Sequence, residues 1–187
     1  MHNFTFQMRI ILLGVLLAIV ANIGFADQNS PKLDQLFEDL YQSKDITTQN
    51  NIVDQIWLEW MTIDDEETQT IMDSMQYFFQ GKNYPQAIKA LDYVIEKNPQ
   101  YAEAYNKRAT FFFFMGEYES SMQDIQATLA LEPRHFGALD GMARILIEYK
   151  MYTQAQKVYD EMKLLTPNDV TLDMKIDYLR NLMNGEV

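Results

Sequence analysis

The sequence predicts an all-α fold in which pairs of helices follow one another along the chain. Three residue types recur every 34 positions: proline at Pro99, Pro133 and Pro167, tyrosine at Tyr84, Tyr118 and Tyr152, and a small residue at Ala87, Ser121 and Ala155. A period of roughly 20–50 residues is typical of arrays in which each repeat is one supersecondary unit. The chain has no cysteine, so packing between neighbouring helices must hold the array together without disulfides.

The first 26 residues have the layout of a secretory signal peptide. Residues 1–9 contain one basic side chain, Arg9, and residues 10–20 form an uninterrupted apolar run. Gly24 and Ala26 provide small residues for a cut before residue 27. The alternative is an uncleaved membrane anchor. Cleavage is favoured, because the apolar stretch is shorter than the roughly 20 residues that a membrane-spanning helix needs.

Residues 27–67 predict a helical hairpin without the repeat pattern. Serine and proline at positions 30 and 31 suit the start of a helix. Trp57 and Trp60 are three residues apart and therefore lie on one face of the second helix. We expect them to pack against the first repeat, so that the hairpin closes that end of the array as a divergent cap. The acidic run 64–67 is expected to open the next helix, whose dipole favours negative charge there.

Residues 68–167 predict three helix pairs without insertions, bounded as 68–101, 102–135 and 136–167. Apolar residues recur at helical spacing in each half. Each second helix ends before a proline, because the residue that precedes a proline avoids helical dihedral angles. Phe111–Phe114 cover nearly the whole circumference of one helix, since successive residues are turned by about 100°. The favoured interpretation is that the repeat and its neighbours cover all four rings, and the alternative is that Phe113 or Phe114 is an apolar anchor for a bound peptide.

Residues 168–187 predict a last helix that caps the other end of the array. Its apolar residues should face inward, namely Leu172, Ile176, Leu179 and Met183. Its charged residues should face outward, namely Asp173, Lys175, Asp177 and Arg180.

The repeated segment resembles three tetratricopeptide repeats (TPR). Counting each repeat from Thr68, Ala102 and Phe136, the bulky residues of the family at positions 4 and 11 are matched by Ile71, Tyr105 and Leu139 and by Phe78, Phe112 and Leu146. The family's Tyr, small residue and Pro are the recurring residues named above. The Gly of position 15 survives only as Gly116, which leaves the turn geometry of the other two repeats open. The resemblance implies a right-handed superhelix of three helix pairs.

The resemblance also implies that the first helix of each repeat lines a concave groove that binds protein segments. The candidate groove residues are Gln76, Phe79, Asn106, Lys107, Thr110, Phe113, Asp140 and Arg144. Gly137 and Gly141 would leave part of the groove wall bare. Some TPR domains clamp the terminal carboxylate of a peptide. Of the five positions used for that, only Lys107 has a suitable side chain here, so this type of clamp is not supported.

Composition and motifs argue against several other functions. The net charge of −12 disfavours nucleic acids, whose binding depends on Lys and Arg, and anionic membrane surfaces. We expect no cofactor and no metal site, because no phosphate-binding loop or metal-ligand motif is present. His135 lies at a junction between repeats without an activated partner in sequence, so a structural role is expected rather than general-base catalysis. We therefore expect that the protein is not an enzyme.

These observations predict an exported, non-catalytic adaptor that binds a peptide or helix of a partner protein. Residues 131–139 also resemble a stretch of short exported bacterial TPR proteins, which implies a periplasmic location. Anchoring in the inner membrane, with the repeats outside the cytoplasm, is the alternative location. The alternative function is a self-assembling or membrane-tethered scaffold, and homo-oligomers are open under either function.

Overall fold

The computed structural model of the protein describes residues 31–185. Within this range the chain forms helices joined by short turns: α1 Pro31–Gln42, α2 Ile46–Met61, α3 Glu66–Gln80, α4 Tyr84–Lys97, α5 Ala102–Phe114, α6 Tyr118–Leu131, α7 Phe136–Glu148, α8 Tyr152–Leu165 and α9 Val170–Asn184. The predicted all-α fold is confirmed. The predicted signal peptide or anchor, residues 1–26, lies outside the described residues. None of the described helices is long and apolar enough to cross a membrane.

Side-chain caps set the starts of several helices. The Asp65 carboxylate accepts a hydrogen bond from the Thr68 backbone N–H at 2.9 Å, and Glu66 and Glu67 occupy the first turn of α3. The acidic run therefore opens a helix, as expected, because it satisfies orphan N–H groups and favours the helix dipole. The Asp169 carboxylate caps α9 in the same way.

The turn inside each repeat has the same backbone shape. Lys82, Gly116 and Lys150 occupy the same place in the three repeats, and their φ angles are 53°, 78° and 57°. Left-handed backbone is normally the property of glycine. Lysine therefore holds in two of the three turns the left-handed geometry that glycine holds in the other.

The apolar cores follow the helix pairs. Ala87 and Ala155 are fully buried where their helices approach the preceding ones, and the Ser121 hydroxyl donates a 2.7 Å hydrogen bond to the Ala109 carbonyl. One continuous core joins the second repeat, the third repeat and α9, while the first repeat and the α1–α2 hairpin each have their own cluster. The hairpin core contains the fully buried Ile56 and Trp60.

The α1–α2 hairpin lies along the edge of the array where the turns between repeats are found, instead of packing beside α3. The Tyr101 hydroxyl donates to the Met61 carbonyl at 3.0 Å, Arg134 pairs with Asp34 at 2.7 Å, and the Asn168 amide donates to the Ser43 carbonyl at 3.2 Å. These contacts fall in the first, second and third inter-repeat turns respectively. The hairpin therefore braces all three repeats.

The expected position of the two tryptophans was wrong. Trp57 and Trp60 pack on His135 and Phe136, at the junction of the second and third repeats, instead of on the first repeat. The physical reason is that this junction offers two adjacent rings, and aromatic side chains favour stacked or edge-to-face partners.

The last helix differs from the prediction at two residues. Leu172 and Leu179 are buried and Ile176 is partly buried, but Met183 is 48% exposed because it lies in the last turn of α9, where no described helix follows to cover it. Lys175 was expected to face outward. Its ammonium group instead pairs with Asp140 of α7 at 2.7 Å.

Candidate functional site

A small open pocket of about 70 Å³ lies between α5 and α7. Five of the eight candidate groove residues line this pocket: Asn106, Thr110, Phe113, Asp140 and Arg144. The spacing of one to two helical turns within α5 and within α7 explains why they share a face. That these residues bind a partner stays a prediction.

The remaining three candidates do not line the pocket. The Phe79 ring is 5.0 Å from that of Phe114, a pocket residue, and the rings of Phe114 and Phe113 are 5.7 Å apart. An aromatic row therefore joins the first repeat to the second. Gln76 is exposed one turn before Phe79. Lys107 pairs with Glu103 at 3.0 Å, so its charge is already compensated.

Phe111–Phe114 divide as the helical geometry requires. Phe111 is 2% exposed and belongs to the first-repeat core, whereas Phe114 is 44% exposed. Phe113 lies between these extremes and contacts Tyr118 and Arg144. The two residues predicted as anchors both line the pocket.

The prediction that the two glycines of α7 leave the groove wall bare was wrong. A Cβ atom on Gly137 would lie 2.6 Å from Cη2 of Trp57, and one on Gly141 would lie 3.2 Å from Cδ1 of Ile125. The hairpin indole and the α6 side chain thus fill the space that a larger residue would need.

A buried carboxylate supports the floor of the site. Glu103 is fully buried, and one of its oxygens accepts hydrogen bonds from the Asn106 amide at 2.8 Å and from Nε2 of His135 at 3.0 Å. Nδ1 of His135 accepts from the Ala138 backbone N–H, so in this arrangement the proton of the neutral ring is on Nε2. His135 thus has a structural role and caps α7.

The protonation of Glu103 follows from these contacts. Burial raises the pKa of its carboxyl, but the His135 hydrogen bond and the Lys107 charge outweigh burial, so the pKa is lowered overall. Asn106 is 8% exposed and Lys107 is partly buried. Both side chains therefore hold the carboxylate in place.

Arg144 carries a positive charge that no carboxylate compensates in residues 31–185. Its guanidinium carbon lies 4.6 Å from the centre of the Phe113 ring, a cation–π arrangement. The neighbouring acid, Asp140, is paired with Lys175. The described residues contain no group of three His, Asp or Glu side chains that could hold a metal ion.

Two exposed apolar residues on α9 lie outside the groove predicted from the sequence. Met174 and Tyr178 are 68% and 51% exposed. They stand 34 positions after Asp140 and Arg144, at the same places in the repeat. Continuing the repeat frame past Pro167 would have found them.

Comparison with known proteins gives one long match and several partial ones. No protein-family model matches the sequence. A TPR repeat-containing protein of Rhizobium etli is 36% identical over 159 residues, which cover 84% of this chain and 78% of the relative. The Hsp70-Hsp90 organizing protein 3 of Arabidopsis thaliana is 27% identical over 84 residues, which cover 45% of this chain and 15% of that protein.

Solved structures of TPR domains share the fold. The first TPR domain of Spaghetti (RPAP3), bound to the HSP90 peptide SRMEEVD, superposes with a TM-score of 0.60 at 16% identity, covering 65% of this chain and 99% of that one. The TPR domain of Arabidopsis OM64 gives a TM-score of 0.57 at 19% identity, covering 62% of this chain and 96% of that one. At such identities the likeness concerns the fold alone.

Proposed function

This chain belongs to the tetratricopeptide repeat proteins, and from that premise we propose that it is a non-catalytic module that binds a segment of a partner protein in the groove lined by α3, α5 and α7. The observation that carries the proposal is the pocket that gathers Asn106, Thr110, Phe113, Asp140 and Arg144. Its wall combines aromatic rings with one cation, Arg144, which has no carboxylate partner among the described residues. Such a wall suits an amphipathic helix or an extended segment with mixed side chains.

The partner we propose is not the C-terminal tail of a chaperone, although one of the similar structures carries an HSP90 peptide. Lys107 is the single suitable side chain at the positions expected for a carboxylate clamp. It already pairs with Glu103, whose side chain is fully buried. The other clamp positions hold Met72, Gln76, Gly137 and Gly141, none of which is a cation, and the Trp57 indole covers Gly137. A peptide terminus would thus find no set of free cations there.

The test is capture of a partner by the full chain and by two matched double variants. Thr110→Glu with Arg144→Glu changes the pocket at exposed positions. Thr153→Glu with Lys157→Glu makes the equivalent changes on the outer face of α8, where both residues are also exposed. Asn106 is left unchanged because its amide supports the buried Glu103.

We expect the pocket variant to lose the partner and the α8 variant to retain it, with equal helix content in circular dichroism. Equal capture by all three proteins would overturn the groove as the binding site. Self-assembly is the alternative function. A molar mass that rises with protein concentration in light scattering, with no partner captured, would favour it.

We also propose that the protein acts outside the cytoplasm, in the periplasm of its host. The support is the signal-peptide pattern of residues 1–26.

A further inference from the structure

We infer that the groove continues past the third repeat onto α9, and that its partner is a protein segment with a carboxylate facing Arg144 between two apolar side chains. One apolar side chain would contact the Phe113 end of the pocket and the other would contact Met174 and Tyr178. This inference rests on the proposed function and specifies the chemistry of the partner.

The first observation is an exposed apolar stripe on α9. Met174 and Tyr178 are four residues apart, so they are neighbours on one face of the helix. They are 68% and 51% exposed, while Leu172 and Leu179 on the inner face are 1% and 0% exposed. Adjacent exposed apolar side chains that extend a groove are a candidate interaction surface.

The second observation is that the acidic side chains beside the stripe are ion-paired. Asp173 pairs with Lys163 of α8, and Asp177 pairs with Arg180. These charges suit contact with water, as expected at the end of a repeat array. Met174 and Tyr178 thus lie beside ion-paired, solvated side chains, while the exposed apolar residues Val170 and Met183 lie at the two ends of α9.

The third observation joins this stripe to the pocket. Lys175, which follows Met174 directly, pairs with Asp140 at 2.7 Å, and Asp140 lines the pocket. Tyr178 lies about one helical turn after Lys175, and Arg144 lies one turn after Asp140. In the repeat frame Tyr178 corresponds to Arg144, as Met174 corresponds to Asp140. Met174 is therefore next to the residue that pairs with Asp140 of α7, and the inference places Tyr178 beside Arg144 because the two stand at the same place in successive repeats.

Charge decides which segment fits. Pairing with Lys175 neutralises Asp140, so Arg144 is left as the cation that a partner can use within the described part of the groove. Phe113 on α5 lies on one side of α7 and the α9 stripe on the other. A segment that crosses these helices meets an apolar surface, a cation and a second apolar surface. The chain's own residues 1–26 contain no Asp or Glu and cannot supply the carboxylate.

The test uses a phage-displayed library of random 16-residue peptides, selected on the full chain and on three variants. Arg144→Glu reverses the charge. Met174→Ser with Tyr178→Ser removes the stripe. Leu164→Ser is the matched control, because Leu164 is an apolar residue of α8 that is 73% exposed and lies outside the pocket. Circular dichroism confirms that all four proteins are folded.

We expect peptides selected on the unchanged protein to carry Asp or Glu between two apolar residues. Arg144→Glu should select Lys or Arg at that place. The double serine variant should lose the preference for one apolar residue and bind the original peptides at least ten times more weakly. Leu164→Ser should bind them unchanged.

The other outcomes separate the inference from the function on which it rests. Peptides that bind the serine variant and the charge-reversed variant as well as the unchanged protein, but are lost by a further Thr110→Glu variant, would overturn this inference and leave the proposed function standing. If no selected peptide depends on any groove residue, both are overturned. Self-association that is lost in the serine variant would assign the stripe to a second copy of the chain and overturn the inference.

Discussion

The His135 ring lies almost parallel to the Trp60 indole, with ring centroids 4.1 Å apart and an angle of 15° between the planes. His135 belongs to the turn between the second and third repeats, and Trp60 belongs to the hairpin. At its edge, the same imidazole ring forms a hydrogen bond through Nε2 to the buried Glu103. One stacked pair thus connects the hairpin, the repeats and the carboxylate under the groove.

Trp60→Ala should therefore release the hairpin from the repeats. Trp60 is fully buried and contacts Phe37, Trp57, His135 and Phe136. We expect a loss of about 3–5 kcal/mol in the free energy of unfolding, measured by urea denaturation, as is usual when a buried Trp is truncated.

Tyr41→Ala is the control for this prediction, because Tyr41 lies in the same hairpin and is 66% exposed. It should change the free energy of unfolding by less than about 0.5 kcal/mol. Limited proteolysis should cut the hairpin of the Trp60 variant first. Similar unfolding curves for both variants would contradict the role assigned to the stack.

Glu103 should make stability depend on pH in the acid range. Its pKa is lowered from the ordinary value of 4.5. The ionised carboxylate therefore stabilises the fold above about pH 4.5, and this stabilisation is lost as pH falls through the lowered pKa. Glu103→Gln should be destabilised by about 1–3 kcal/mol at pH 7. The difference in the free energy of unfolding between this variant and the unchanged protein should become smaller at pH 3–4.

Glu96→Gln on α4 provides the comparison, since Glu96 is exposed. Urea denaturation at pH 7, 5, 4 and 3 follows both variants. A difference between Glu103→Gln and the unchanged protein that stays constant from pH 7 to pH 3 would count against an ionised buried carboxylate.

Lys82→Gly and Lys150→Gly should each stabilise the protein. Both lysines have positive φ angles, 53° and 57°, which cost a residue with a Cβ atom about 1–2 kcal/mol. We expect a gain of about 0.5–1 kcal/mol for each change, because glycine also loses more entropy on folding. Thermal unfolding measures the effect.

Gly116→Ala is the reciprocal change at the equivalent place in the second repeat. A Cβ atom there would meet nothing within 4 Å, so any loss of stability comes from its φ of 78° and not from a clash. A Lys82→Gly variant less stable than the unchanged protein, together with a neutral Gly116→Ala, would refute this account of the turns.

The 34-residue period was enough to predict the helix pairs, and the family resemblance assigned Thr110, Phe113 and Arg144 to one face. Continued past Pro167, the same period would also have located Met174 and Tyr178. The docking of the hairpin was beyond sequence reasoning, because the contacts of Trp57 and Trp60 with His135 and Phe136 follow no period. For the same reason Gly137 was interpreted as a bare wall, although a side chain distant in sequence fills its space.

The N-terminal segment gives a prediction that is independent of the fold. Expressed in a bacterial host, the secreted chain should begin at Asp27, because Gly24 and Ala26 provide the small residues that signal peptidase needs. N-terminal sequencing of the envelope fraction measures this. Ala26→Trp should block the cut. A chain that keeps residues 1–26 and sediments with membranes would establish the anchor instead.

Gly137→Ala tests whether the Trp57 indole really occupies the groove wall. The added methyl group would lie 2.6 Å from Cη2 of Trp57, so the indole must move from its contacts with His135 and Phe136. We expect a loss of about 1–3 kcal/mol in the free energy of unfolding, as in other overpacked sites. Once Trp57→Ala has removed the indole, the sign should reverse, because alanine is favoured over glycine in a helix by about 1 kcal/mol. Urea denaturation of the four proteins gives this cycle directly. An equal cost of Gly137→Ala with and without the indole would mean that something other than Trp57 closes the wall at this position.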